Sequence, residues 1–240
     1  MQRMKSIKIL IGTTYLLLLS VFLYFFFSKF SIQEITSYDF IKSNIEYLSN
    51  YKQSNLFFIS VGFILLGIFW ISVLQGFGSP LGLIAGFLFG SYLGTIILTI
   101  TFTIGASFTY IVANFFFKDF IKEKIKNNYQ SLNEKIQKHQ FFAVAILRFI
   151  GGIPIQIQNL IPILFNIKLR YYFFGTFLGI FPQAWIVVSL GAGLEKQIKK
   201  NSEPPSFIDL LSSPEIYIPI LCFIILFFLT LFLRNFFFKK

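Results

Sequence analysis

The chain is poor in the residues from which most catalytic and metal sites are built. Its 240 residues include one cysteine, Cys222, and one histidine, His139. A lone cysteine excludes an intrachain disulfide and a cysteine metal cluster. No Cys–His pair, Ser–His–Asp set, pair of carboxylates or Gly-Lys-Ser phosphate loop stands near a break in the apolar runs. An enzyme is therefore not expected, and neither a cofactor nor a metal is called for. Charge is scarce too: Asp, Glu, Lys and Arg make up 13% of the residues against 55% hydrophobic ones, and mean hydropathy is +0.72. A soluble domain must cover itself in polar surface, and this chain has too little of it.

Acids are the scarcer sign, 10 Asp and Glu against 21 Lys and Arg, for a net charge of +11. In a soluble protein that excess would raise the question of nucleic acid. Here the basic residues sit in short segments flanking apolar runs, where they meet anionic headgroups, and no zinc-finger spacing or basic helix-turn-helix pattern accompanies them. Membrane lipids are the expected partners, with a homo-oligomer compatible, and nucleic acid is not expected. The 35 Phe are spread along every apolar run and read as compositional bias and lipid-facing bulk.

What is present is a series of long apolar runs, and a helix needs about 20 such residues to cross about 30 Å of hydrocarbon. Ile9 to Phe27 follows Arg3, Lys5 and Lys8 but is too long for a signal peptide and lacks a small-x-small cleavage site. From Ser28 to Asn55, Ser31 with Glu34 forms a capping box, and Phe40, Ile41, Ile45 and Leu48 recur at helical spacing, which predicts short interfacial helices. Leu56 to Leu74 reads as a full span ending at the helix-breaking cluster Gln75–Pro80. Leu81 to Phe117 is too long for one span and barely long enough for two. Two crossings, or a re-entrant segment over Leu81–Gly94 followed by one crossing, fit equally, and they place the chain ends on the same or on opposite sides.

Lys118 to Gln140 alternates an apolar face, with Phe117, Ile121, Ile125, Tyr129, Leu132 and Ile136, against Lys122, Lys126 and Lys135, as in a helix lying in the interface. Phe141 to Phe165 is apolar but interrupted by Arg148, Gly151-Gly152, Pro154 and Pro162, which are tolerated at membrane depth only inside protein or beside water. It is the second re-entrant candidate. Tyr171–Gly193 and Pro214–Phe236 complete the spans, with Pro204-Pro205 in the linker and Ser213 as cap. The expected fold is an all-α integral membrane protein, a polytopic helical bundle with two re-entrant or broken-helix segments and a suggestion of inverted repeats. Its parts are an N-terminal anchor with interfacial helices (1–55), a membrane core (56–193), and a linker with a C-terminal transmembrane helix (194–240).

Two stripes run through the core. Gly78, Gly82, Gly86, Gly90 and Gly94 recur every four residues, which in one helix makes a groove where another backbone packs closely or a thin gate opens. Ser91, Thr95, Thr99, Thr103 and Ser107 do the same with hydroxyls, which either bond back to the carbonyl one turn earlier or line a polar path. Arg148 carries the most information. A guanidinium at the centre of a span costs about 2.5–3.5 kcal/mol on insertion scales, and no acid in its span neutralises it. It either snorkels to the nearby edge or forms an anion site. Just beyond it, Gly151, Gly152 and Pro154 free backbone N–H groups, and Gln156, Gln158 and Asn159 add neutral donors and acceptors. Broken half-helices facing ions are a device of secondary transporters, and guanidinium forks suit phosphate, so a lipid phosphate is a candidate ligand.

At these segments the sequence resembles the DedA superfamily, in its VTT-domain branch, the SNARE-associated Golgi proteins. The likeness covers roughly Leu56–Gly193. It rests on Pro80, the run from Leu83 to Gly90, Gly94, Gly105 and Ala106, then on Arg148, Pro154, Asn159, Phe173, Gly175, Gly179, Pro182 and Gly191. The acid many members carry in the first re-entrant segment is absent, Asn114 stands where an Arg commonly closes the next span, and Ile163 replaces a glycine expected after Asn159. The missing acid puts proton coupling in doubt. The resemblance implies re-entrant segments meeting at mid-membrane and movement of phospholipid or polyprenyl-phosphate lipid between leaflets, in a bacterial plasma membrane. Competing expectations are a proton- or ion-coupled small-solute transporter and a non-transporting membrane scaffold.

Overall fold

The structure is a computed structural model. It describes residues 10–14, 17, 20, 21, 24, 28, 38–74, 78–125, 130–149, 153–200 and 206–238. Among these every regular element is an α-helix. The chain divides into two compact units, Met1–Ser54 and Asn55–Lys240. In the first, the described residues of the Ile9–Phe27 run are helical, and the Thr13 hydroxyl donates to the Leu10 carbonyl at 2.9 Å. The Ser31–Glu34 capping box lies outside the described residues, as do Gln75–Phe77, the Gly151-Gly152 pair and Pro204-Pro205.

The first helix, α1, runs Tyr38–Ser72 and is broken at Asn55 (φ −131°, ψ 26°), where the units divide. Asn55–Ser72 is one of three helices among the described residues that are long and apolar enough to cross a membrane; the others are Gly78–Phe116 and Leu169–Lys200. Helix α2, Gly78–Ile125, contains a reversal at Gly90, whose φ of 75° and ψ of 178° fall where a side chain is strained. A Cβ on Gly94 would lie 2.7 Å from the Ala85 carbonyl oxygen, one on Gly82 3.4 Å from Leu98 Cδ2, and one on Gly78 3.0 Å from Phe102 Cε2. Residue numbers rise on one arm as they fall on the other, so α2 is an antiparallel hairpin turning at Gly90. The arm from Gly78 to Phe89 covers about 18 Å, well short of a crossing. Of the two sequence alternatives for this stretch, two crossings are excluded, and one short arm followed by one long one is what forms.

The run read as the span Leu56–Leu74 forms the helix Asn55–Ser72, long and apolar enough to cross a membrane, and it packs on the long arm of α2. Gly67 packs on Thr101, Ile71 on Gly105, and the Thr109 hydroxyl reaches the Ile71 carbonyl at 3.5 Å. The Asn55–Ser72 part of α1 thus runs parallel to the long arm of α2 and stops level with its middle turns, about 15 Å of helix before Lys118. Gly78 begins the short arm of α2 beside Phe102, near the middle of the long arm.

Of the expected interfacial helix Lys118–Gln140, residues 126–129 lie outside the described residues. Residues to Ile125 prolong α2, and α3, Gln130–Lys138, is separate. Beyond it, α4 (Gln140–Phe149) and α5 (Ile155–Leu164) are 10 residues each, about 15 Å long and too short to cross. Gln137 donates to the Phe165 carbonyl, Lys168 N–H to Gln140 Oε1 at 2.8 Å, and Arg148 meets Gln158, again an antiparallel hairpin. Helix α5 ends in a Schellman turn: Ile167 N–H bonds the Pro162 carbonyl at 3.2 Å, Asn166 N–H that of Ile163 at 3.1 Å, and Asn166 has a φ of 55°.

Helix α6, Leu169–Lys200, is the axis of this unit. The α4 arm runs parallel along its first half: a Cβ on Gly175 would sit 2.8 Å from the Phe141 carbonyl oxygen, and one on Gly179 2.5 Å from that of Ala145. The short arm of α2 runs parallel along the second half, where a Cβ on Gly82 would lie 2.6 Å from Val187 Cγ1 and one on Gly86 2.8 Å from the Ala192 nitrogen. After α7 (Phe207–Ser212), α8 (Pro214–Phe238) starts where Ser213 caps it, its carbonyl accepting from Ile216 and Tyr217 N–H at 3.0 Å. Beside α6 the charged pairs are Lys196–Glu215 at 3.9 Å and Lys199–Glu195 at 2.7 Å. The two halves now correspond. In each an arm enters, breaks at depth, returns, turns at a positive-φ residue (Gly90, Asn166) and leads into a long span. The two spans are antiparallel, which makes the halves inverted.

Candidate functional site

Arg148 stands on the last turn of α4, where the helix breaks. Its side chain is 1% exposed, so it does not snorkel to the edge. Nε donates to Thr176 Oγ1 at 3.3 Å, Nη1 to Gln158 Oε1 at 3.3 Å, and Nη2 to Asn159 Oδ1 at 2.8 Å and to the Tyr172 hydroxyl at 2.5 Å. The guanidinium carbon lies 5.3 Å from the Tyr172 ring centroid and 5.8 Å from that of Phe102. Each hydrogen bond to the charge contributes about 1.5–3 kcal/mol. Together they offset the cost of placing a cation in the bilayer, and each partner is neutral. Among the described residues no carboxylate pairs with Arg148, so the full positive charge remains.

The supporting shell is polar and ordered. The Tyr172 hydroxyl has Asn159 Oδ1 at 3.1 Å and the Ala106 carbonyl at 3.3 Å as acceptors. Its ring stacks on Tyr110 at 4.5 Å, and Tyr110 donates to the Ile167 carbonyl. Gln183 Nε2 donates to the Phe149 carbonyl at 3.1 Å across the break.

Beside this cluster lies a cavity of about 260 Å³ between the hairpins, lined among others by Gly78, Ser79, Phe102, Pro154, Gln158 and Gln183. The residues that open both return arms, Gly78 and the N-cap Pro154, line it, and Pro154 supplies no side-chain cap to α5. Phe102 and Gln183 lie near the middle of their spans, so the two breaks meet at mid-height.

Several residues expected at the site are there: Arg148 and Asn159 in direct contact, Pro154 on the cavity wall. Gln156 is half-buried and is not among the partners of Arg148, while Gly151 and Gly152 lie outside the described residues. Pro80, Gly82, Gly86, Gly90 and Gly94 do not form one groove, because Gly90 folds their helix. Gly82 and Gly86 pack on α6, and Gly94 packs back on Ala85. The hydroxyl stripe is buried rather than open to a path. Thr95, Thr103 and Ser107 donate to the carbonyl one turn earlier, and Thr99 Oγ1 has no partner. Asn114 Oδ1 is likewise buried without a partner. Tyr172, Thr176 and Gln183 were missed by the sequence reading, although with Gly179 they form a small-and-polar stripe at helical spacing on a span otherwise rich in Phe.

Apolar helices arranged as two broken hairpins that meet around a buried guanidinium define a multi-pass membrane protein of the re-entrant kind. The VTT domain family model matches residues 74–193, half of the chain, and the chain belongs to that family, as its resemblance to the VTT branch of the DedA superfamily implied. It is 27% identical over 156 residues to a transmembrane protein 41 homolog of Caenorhabditis elegans, covering 62% of each chain. Against the homolog of Dictyostelium discoideum it is 27% identical over 180 residues, covering 72% of this chain and 51% of the relative. Against transmembrane protein 41B of Danio rerio it is 24% identical over 156 residues, covering 62% and 54%. The chain thus aligns with between half and about three fifths of these relatives. No solved structure matches it.

Proposed function

We propose that the protein moves phospholipid or polyprenyl-phosphate lipid between leaflets, as a scramblase or flippase, with the headgroup phosphate meeting Arg148 at mid-depth while the acyl tails stay in lipid. The observation that carries this reading is a fully buried guanidinium whose partners among the described residues are all neutral, beside a cavity between two broken hairpins. A charge the protein leaves unneutralised at that depth is a standing attraction for an anion, and a phosphate offers oxygens in the geometry a guanidinium prefers. Pro154 and Asn159 complete the proposed site. The lipid leaves chemically unchanged, so the role is not enzymatic, and neither nucleic acid nor cofactor enters it. The setting we propose is the cell membrane; the relatives named above are eukaryotic proteins, and fluorescence localisation of the tagged chain checks it.

The test is reconstitution into liposomes carrying a fluorescent phospholipid, with outer-leaflet quencher added from outside. Wild-type protein is expected to expose inner-leaflet label, and Arg148→Ala to slow that exposure about tenfold or more, as the loss of one charge-assisted contact implies. Equal traces for wild type, Arg148→Ala and empty vesicles defeat the proposal.

A further inference from the structure

Gln158 belongs to two environments at once. Its Oε1 accepts from Arg148 Nη1 at 3.3 Å and its Nε2 donates to the Ile153 carbonyl at 3.2 Å, while the same side chain lines the cavity beside Pro154. A guanidinium has five N–H groups. Those of Nε and Nη2 and one of Nη1 are engaged, and the second Nη1 hydrogen has no acceptor among the described residues. The least satisfied nitrogen of the buried charge is therefore the one that Gln158 screens from the cavity. Its bond to Gln158 is also long, since N–H···O contacts cluster near 2.9–3.0 Å, whereas Asn159 on the other nitrogen is held at 2.8 Å.

A phosphate oxygen is the stronger acceptor, because its negative charge adds direct attraction to the cation and its oxygens match the fork of a guanidinium, whereas the amide oxygen is neutral. We propose that Gln158 is the displaceable ligand of Arg148 and so the residue that sets specificity in the lipid path: a phosphate group entering the cavity takes both Nη1 hydrogens, and the Gln158 amide turns away toward the cavity wall. Asn159, Tyr172 and Thr176 keep the guanidinium in place during the exchange. This inference rests on the function proposed above. It selects lipids that carry a phosphate over those that do not, because a neutral headgroup cannot compete with the amide for Nη1.

The experiment measures leaflet exchange of two labelled lipids, phosphatidylcholine and glucosylceramide, by wild type, Gln158→Glu and Gln158→Met, each accepted only if it elutes like wild type on gel filtration. Gln158→Glu places an ionised rival on Arg148, and phosphatidylcholine exchange is expected to fall about tenfold or more. Gln158→Met removes the rival with little change in volume, so phosphatidylcholine exchange is expected to persist or rise, and glucosylceramide, no longer competing with the amide for Nη1, to gain on its wild-type rate. Either variant alone suffices if the other fails to fold. Wild-type exchange of phosphatidylcholine with Gln158→Glu indistinguishable from it overturns this inference and leaves the function standing. Wild type no faster than empty vesicles overturns the function itself. An arm with inorganic phosphate sealed in the same vesicles separates the source: release that depends on Gln158 would overturn the lipid-borne phosphate in favour of the free ion.

Discussion

Arg148 Nη2 and Asn159 Oδ1 lie 2.8 Å apart across the break between α4 and α5, and this bond ties a buried charge to the opposite arm of its own hairpin. The bond is neutral on one side, which lets stability and function be separated. Asn159→Ala is expected to lower stability in detergent by at least about 2 kcal/mol, since it removes the acceptor of one hydrogen bond from the charge and of another from the Tyr172 hydroxyl. Asn159→Asp replaces it with an ion pair whose desolvation cost and attraction roughly balance. That variant is expected to fold and melt near wild type while losing lipid exchange, because the charge is now answered inside the protein. Thermal unfolding and vesicle exchange, run on the same preparations, check both halves.

Gly86 and Gly62 differ in what a methyl group would meet. At Gly86 a Cβ would lie 1.9 Å from the Val188 carbonyl oxygen, and at Gly62 there is nothing within 4 Å. Gly86→Ala is expected to unseat the short arm of α2 from α6 and to cost at least the roughly 1–3 kcal/mol of overpacking. Gly62→Ala is expected to be neutral or to stabilise by up to about 1 kcal/mol through helix propensity. Fluorescence-detected gel filtration after heating ranks the two. Equal behaviour would mean that this arm is not docked as described.

At Gly90 the backbone itself makes the demand. Its φ of 75° with a ψ of 178° lies where essentially only glycine is at ease. Gly90→Ala is expected to cost about 1–3 kcal/mol although nothing lies within 4 Å of the added Cβ. A melting temperature equal to wild type would argue against a turn at this residue.

Thr99 offers the opposite case. Its hydroxyl oxygen is buried without a partner, and an unmet polar group costs about 1–3 kcal/mol. Thr99→Val keeps the shape and removes the debt, so the melting temperature is expected to hold or rise. A clear loss of stability would show that the hydroxyl has a ligand.

The helices and the key charge were legible in the sequence because apolar runs and a lone arginine are one-dimensional signals. Pro154 and Asn159 could be grouped with Arg148 since all lie within a dozen residues of the same break. Three things were not legible. Tyr172 and Thr176 reach Arg148 from a different helix, and only the fold brings them there. Asn55–Ser72 has the apolar length of a crossing helix, and only its pairing with Thr101 and Gly105 shows where it stops. The glycine repeat has the spacing of a packing stripe along one helix, yet one of its members, Gly90, ends that helix and divides the repeat between two arms.

A structure determined in lipid nanodiscs tests the central claim most directly, by showing what occupies the space between Gly78 and Pro154. The account predicts headgroup density in that cavity within hydrogen-bonding reach of Arg148 Nη1, with Gln158 rotated off it. Headgroups confined to the two outer faces, with Arg148 still bound to Gln158 and the cavity closed to lipid, would contradict it.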